Sequence, residues 1–228
     1  MRVPLALFLV FGSAFCQQDQ RPLPEGVYRP GNGVTLPKLV SRSDPEYAEE
    51  ARIAKLIGTF TVSFIVREDA KVRDVSAAAP LGLGLGEKAI EAVSSWRFKP
   101  GLKDGIPVAV AMNAEMTFML AVGRGEWSLS RALFDAPAGT ARPVLIAAQY
   151  PATYEPSGSD GSVVISFDVD PKGTTANLHV EHSSNSALES EVIGIVRSWR
   201  FQPGVKGSDR VSVRCTLEFV KQDGNMHP

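Results

Sequence analysis

The stretch Ser95, Trp96, Arg97, Phe98, Lys99, Pro100, Gly101 returns with one change as Ser198, Trp199, Arg200, Phe201, Gln202, Pro203, Gly204. The same offset of 103 residues aligns Gly58 with Gly161, Phe64 with Phe167, Val66 with Val169 and Val93 with Val196. It also aligns Lys103 with Lys206, Val108 with Val211, Val110 with Val213 and Glu115 with Glu218, with no gap from Gly58 to the last strand. A fixed period constrains a fold more tightly than composition does, because each copy has to form the same unit. The 228 residues therefore read as two tandem domains, each close to the smallest size that sustains its own core.

Bulk composition excludes some functions. A net charge of -1 with 21% charged residues leaves no basic footprint for nucleic acid. Three His and two Cys supply little material for a metal site. At the start, Met1 and Arg2 precede an apolar run from Val3 to Phe11 and then Gly12, Ser13, Ala14, Phe15 and Cys16, the order of a secretory signal over residues 1–16. The run is shorter than the roughly 20 apolar residues of a lasting membrane anchor. Cleavage after Cys16 starts the mature chain at Gln17 and sends it to the periplasm or outside; lipid on Cys16 and a retained signal are the alternatives. With Cys16 gone, Cys215 is left without an internal partner. Its place in the alternation Val211, Val213, Cys215, Leu217, Phe219 points it into a core.

Residues 17–36 form a Pro- and Gly-rich lead-in, and a first domain is expected over 37–121. Asp44 and Pro45 are expected to start a helix that carries Glu46, Tyr47, Glu49, Glu50, Ala51 and Ala54 and ends at Gly58. Phe60, Val62, Phe64 and Val66 alternate with polar residues as a strand, paired as a hairpin with Lys71 to about Ala79. Leu81 to Gly86 is a Gly-Leu link. It lacks the Lys-Ser or Lys-Thr and the spacing of either nucleotide fingerprint, so phosphate binding is rejected. A helix over Glu87 to Trp96 and a long strand from Val108 to Phe118 complete the domain. Residues 122–140 read as a linker with a short helix over Ser128 to Phe134. In the second domain, 141–222, Pro151 and Pro156 disfavour a long first helix. Strands are expected at Ser162 to Asp170, Thr174 to His182 and Arg210 to Val220, and a helix from Ala187 to Trp199. A tail, 223–228, follows.

Pro45, Tyr47, Gly58, Trp96, Arg97, Phe98, Pro100, Gly105, Pro107, Val108 and Phe118 together resemble the C-terminal domain of the TonB family. The likeness spans most of 31–120 and, more weakly, 140–222 through Tyr150, Pro151, Trp199, Arg200, Phe201 and Pro203. Gly31 to Thr35 and the Gly-Leu link are similar to a subgroup of short secreted members. Ala48 stands where the family usually has Pro, and Ala70 where a hairpin Gly is expected. The lasting anchor and long Pro-rich spacer of the energy transducers are not read in this sequence. The resemblance implies an α+β fold of two tandem domains, each a three-stranded antiparallel sheet with one or two helices on one face. It also implies a non-enzymatic role in transport, with no cofactor.

Tyr47, Trp96, Arg97, Phe98, Pro100 and their counterparts Tyr150, Trp199, Arg200, Phe201 and Pro203 read as fold-defining. The Trp side chains suit a core, and the two Arg suit helix-end carbonyls. His179 and His182 fall on opposite strand faces, which argues against a metal, and Asp168 and Asp170 lack a partner for acid-base work. What remains is backbone. The family is understood to add the box peptide of an outer-membrane receptor to an open sheet edge. The candidate edges are the last strands, at Val108, Val110, Asn113, Glu115 and Thr117, and at Val211, Arg214 and Thr216. The expected partner is a peptide or envelope protein. The alternative is a structural or dimerising role in which the second domain supports the first and binds no receptor.

Overall fold

The computed structural model describes residues 22–78, 81–122, 125–150 and 160–221. The signal segment with Cys16, the start of the lead-in, Pro151, Pro156 and the tail lie outside the described residues. The first half runs β1 (Val27–Tyr28), β2 (Lys38–Ser41), α1 (Glu49–Ile53), β3 (Gly58–Val66), β4 (Val72–Ala78), α2 (Leu85–Ser95), β5 (Arg97–Lys99), β6 (Gly101–Lys103) and β7 (Ile106–Phe118). Next come β8 (Trp127–Asp135), β9 (Thr140–Ala141), β10 (Val144–Ala147), β11 (Gly161–Val169) and β12 (Thr175–Ser183). A short 3-10 turn, Ser186–Leu188, leads into α3 (Glu189–Ser198), β13 (Arg200–Gln202), β14 (Gly204–Lys206), β15 (Asp209–Val211) and β16 (Val213–Lys221).

The chain forms two compact units. One takes the described residues of Met1–Tyr47, Thr59–Pro80 and Leu85–Thr117. The other takes those of Ala48–Gly58, Leu81–Gly84 and Phe118–Pro228, so α1 and the first four residues of the Gly-Leu link belong with the second unit.

In the first unit the main sheet is ordered β1-β7-β3-β4, with β6 also paired to β7. Phe60, Val62, Phe64 and Val66 on β3 and Val110, Met112, Ala114 and Met116 on β7 point inward and are buried, the period-2 alternation of a sheet with one covered face. Phe64, Trp96 and Phe98 form an aromatic cluster with ring centroids 5.7–6.3 Å apart. The second unit repeats the plan as β12-β11-β16-β8. There Phe167, Phe201, Trp199 and Phe219 make the corresponding cluster at 5.7–6.2 Å. Burying each such ring stabilises its unit by about 2–3 kcal/mol.

Five expectations need correction. The sheets hold four and five strands, not three, because each acquires a strand from chain outside the hairpin-helix-strand repeat. Residues 128–134 are not helical; they lie within β8, so the segment read as linker is part of a sheet. The first helix starts at Glu49 behind an extended Ala48 that makes no side-chain cap, not at Asp44. Upstream the chain is held elsewhere, since β2 pairs with β5 and the Trp96 indole donates to Ser43 O at 2.9 Å. The expected strand from Arg210 to Val220 is two, broken at Ser212, and its first part pairs with β14. The lead-in contributes β1, which runs parallel to β7, and an isolated bridge from Val34 to Lys103.

Candidate functional site

In each repeat the last strand has one side against the hairpin, leaving its other side as a potential docking edge. On β7 that other side is used by β1, which pairs Val27 with Ala109 and Tyr28 with Val110. Lys103 Nζ lies 4.4 Å from the centre of the Tyr28 ring and helps fasten β1 there. The start of β7 is taken by β6, which opposes Ile106, Pro107 and Val108. From Ala111 to Thr117, no further strand pairs with this edge among the described residues. Asn113 and Glu115 are exposed on the face away from the core, and Thr117 bonds Thr59 across the sheet at 2.9 Å.

The corresponding edge of β16 is filled. β8 runs antiparallel to it from Asp135 opposite Arg214 to Trp127 opposite Lys221. Leu129, Ala132 and Phe134 oppose Phe219, Leu217 and Cys215 on the core side. On the other face Arg131 opposes Glu218 and Leu133 opposes Thr216. One end of β8 is anchored by the Trp127 indole, which stands edge-on to Phe219 at 6.3 Å and donates to Glu191 Oε2 at 3.0 Å. The same carboxylate accepts from the buried Lys221 ammonium at 3.2 Å.

The far side of β8 is sealed as well. Leu129 N donates to Lys55 O at 3.0 Å and Ile57 N donates to Leu129 O at 2.9 Å. Ala132 N donates to Leu81 O at 2.7 Å. At Gly82, φ is +100° and a Cβ would sit 2.0 Å from Ala132 O, so this approach needs glycine. That is the structural use of the Gly-Leu link. A further clamp joins α1 to this unit: Arg142 pairs bidentately with Glu50 at 2.8 and 2.9 Å, and Glu50 also accepts from Leu145 N.

The candidate edge residues therefore separate. Asn113, Glu115 and Thr117 lie on the open stretch of β7, whereas Val108 and Val110 face β6 and β1. Arg214 and Thr216 are opposed by β8, and Val211 is on β15, outside the last strand. At Arg214 and Thr216 both sides of the strand are taken, by β11 and β8, whereas Val211 pairs on one side with Gly204 of β14. No sequence signal marked β8 as the occupant.

A family model described as "Gram-negative bacterial TonB protein C-terminal" matches residues 43–120 and again 147–220. The chain belongs to the TonB C-terminal family. Its members' domains are non-catalytic. Among curated proteins, "Protein TonB" of Escherichia coli (strain K12) is 36% identical over 61 residues, which is 26% of this chain and 26% of that protein. The chain thus matches about a quarter of that relative's length. Among solved structures, the "Solution NMR structure of Pseudomonas aeruginosa TonB CTD" matches at 20% identity and a TM-score of 0.34, covering 41% of this chain and 98% of that one.

The residues that carry the TonB signature sit at the helix-to-strand corners. Trp96 and Trp199 are buried at the ends of α2 and α3, and Phe98 and Phe201 are buried on β5 and β13. Arg97 Nη1 donates to Ser95 O and Trp96 O at 3.0 Å, and Arg200 Nη1 to Arg197 O and Trp199 O at 3.0 and 2.7 Å. Tyr150 donates to Ala54 O at 2.7 Å, and burial raises its phenol pKa. Cys215 is buried and free, its thiol pushed up to about 12 mainly by burial and next by the Asp168 charge. A thiol held protonated in this way is a packing group. Among the described residues no three His, Cys, Asp or Glu side chains gather as a metal site. Nor is any helix there long and apolar enough to cross a membrane.

Proposed function

We propose that this chain is a periplasmic binding module of TonB-dependent transport that takes an extended peptide as an added strand on the Ala111–Thr117 edge of β7. The peptide is the box segment of an outer-membrane receptor or the equivalent part of another envelope protein. The observation that carries the reading is the difference between the two repeats: among the described residues the same edge is open on β7 from Ala111 to Thr117 and filled on β16. Main-chain bonds from a sheet edge give affinity to any extended partner, and the side chains on alternate positions give selectivity. On this reading the second repeat binds no receptor peptide. Its supporting role is favoured by α1 and the first four residues of the Gly-Leu link, which belong to the first family match yet pack in the second unit.

The test is a titration of receptor box peptides into the isotopically labelled full chain, followed through backbone amide shifts. Shifts confined to 111–117 are expected. Shifts along β16, or none in either strand, would sink the proposal.

A further inference from the structure

The ribbon of β2 and β5 in the first unit carries positive charge that its copy in the second unit lacks. Lys38 stands directly opposite Lys99, Ser41 opposite Arg97, and an isolated bridge sets Lys71 opposite Arg97. All four cations are exposed and alternate with the buried Phe98 and Val72, so they face away from the core. Like charges opposed across a strand pair destabilise it. Lys38, Arg97 and Lys99 have no acidic partner among the described residues. Asp69 already pairs with Lys71 at 3.3 Å, and Asp44 with Arg42 at 3.7 Å. The face thus holds a local excess of positive charge in a chain whose net charge is -1.

The second copy shows which of these charges the fold needs. β10 pairs with β13 in the same register and with the same shift in it. There Val144 faces Gln202 where the first copy has Lys38 facing Lys99, and at the 103-residue offset Thr174 replaces Lys71. Only Arg200 is kept, and it donates to carbonyls at the end of α3 as Arg97 does at the end of α2. The three lysines are therefore surplus to the fold. Exposed apolar groups interleave with them. Leu36, Lys38 and Val40 point outward, with buried Pro37 and half-buried Leu39 between them, and Leu36 is 54% and Val40 61% exposed.

We infer that this face of the first unit docks on a lipid surface rich in anionic phospholipid. Lysine and arginine are attracted by phosphate headgroups, and aliphatic side chains beside them enter the boundary between headgroups and acyl chains. An acidic peptide would satisfy the cations alone. Aliphatic and basic groups alternating along one exposed strand fit a layer that offers phosphate and hydrocarbon side by side. None of these residues lies on β7, so the site is separate from the peptide edge proposed above.

The test is flotation of the full chain with vesicles of phosphatidylethanolamine and phosphatidylglycerol, against vesicles of phosphatidylcholine alone. Binding to the anionic vesicles only, weakening with added salt, is expected. Lys38→Gln with Lys99→Gln should weaken it on the order of 25-fold, about fivefold for each cation. The urea midpoint of this double variant should hold or rise, because a like-charged pair is gone. Leu36→Ser with Val40→Ser should weaken binding about tenfold, the scale of partly burying two aliphatic side chains. Lys206→Gln with Arg210→Gln removes two exposed cations of the second unit and should leave binding unchanged. Equal weakening by that control reduces the attraction to overall charge and overturns the inference. So does indifference to the serine pair, or a chain that does not float with the anionic vesicles. If such a chain instead shows shifted amides at Lys38 and Lys99 with a synthetic oligoglutamate peptide, the face belongs to an acidic protein and the lipid assignment falls.

Discussion

The last strands of the two repeats, β7 and β16, have matching inward faces and the same place in their sheets, yet they differ in what lies along the outer edge. β16 is paired from Arg214 to Lys221 by β8, which is itself sealed by Lys55, Ile57 and Leu81. β7 carries β6 up to Val108 and β1 at Ala109 and Val110, and from Ala111 to Thr117 no further strand pairs with its outer edge among the described residues. A sheet edge is a template that has to be blunted or used. One copy of this domain is blunted by its own chain, and the other keeps its template. On the proposed function, closing one edge of a duplicated domain leaves one repeat to bind and the other to support it.

The sharpest way to break this comparison is to loosen β8. Trp127 is buried, packs edge-on to Phe219 and fixes Glu191, so Trp127→Ala removes both a large ring and a hydrogen bond. A loss of about 3–5 kcal/mol is expected from a buried Trp truncation, read as a fall in the urea midpoint of the transition that reports the second unit. A loss below about 1 kcal/mol, the level of a surface substitution, would mean that β8 lies on the edge without holding it.

The hairpin turns give a smaller effect of opposite sign in the two copies. Gly173 has φ +81°, and a Cβ there would lie 1.9 Å from Phe201 O. Gly173→Ala should therefore cost about 2 kcal/mol or more, from left-handed backbone and the clash together. Its counterpart at the same offset is Ala70, which already sits at φ 67°. Ala70→Gly should raise stability by roughly 0.5–1 kcal/mol, the relief of that strain less the entropy glycine adds to the unfolded chain. Equal responses at the two sites would show that the turns are not equivalent.

Much of the repeat unit was legible. The alternation in β3, β7, β11 and β16 and the apolar faces of α2 and α3 follow directly from spacing, and the positions of Trp96 and Trp199 follow from the duplicated motif. β8 was hidden by its own bulge. The register slips between Leu129 and Arg131, so Trp127 and Leu129 face the core before it, and Ala132 and Phe134 after it. This erases a period of two and leaves Leu129, Ala132 and Leu133 at helix-like spacing. The shortened first helix was hidden for another reason. Asp44 and Pro45 carry good local start signals, but Ser43 is tied to the end of α2, and tertiary contacts outweigh a cap worth about 1 kcal/mol. The open edge could be placed on β7 only once its occupied counterpart was visible, because a resident strand contributed from the linker has no signature in either repeat.

The weakest contrast between the copies is electrostatic. On the outer face of the second sheet, Asp168 accepts from Asn177 at 2.7 Å and from Arg214 at 3.0 Å. The hydrogen bond from Asn177, then that from Arg214 together with its charge, holds the Asp168 carboxyl below its ordinary value. At the same offset the first repeat has Ile65 and Ala111 in place of Asp168 and Arg214, and so lacks the pair. A carboxylate with a lowered folded-state pKa contributes stability that is complete above its unfolded value of about 3.9 and is lost as pH falls through the lowered one. Acid should therefore loosen the second unit in a way that has no counterpart at Ile65. Residue-resolved amide exchange at pH 6 and pH 3 is the measurement, with Asp168→Asn as the control. In the native chain, protection along β11 and β16 should drop on acidification by more than it does in the variant. If both drop equally, the pair contributes nothing to the closed half, and its stability rests on β8 and the aromatic core alone.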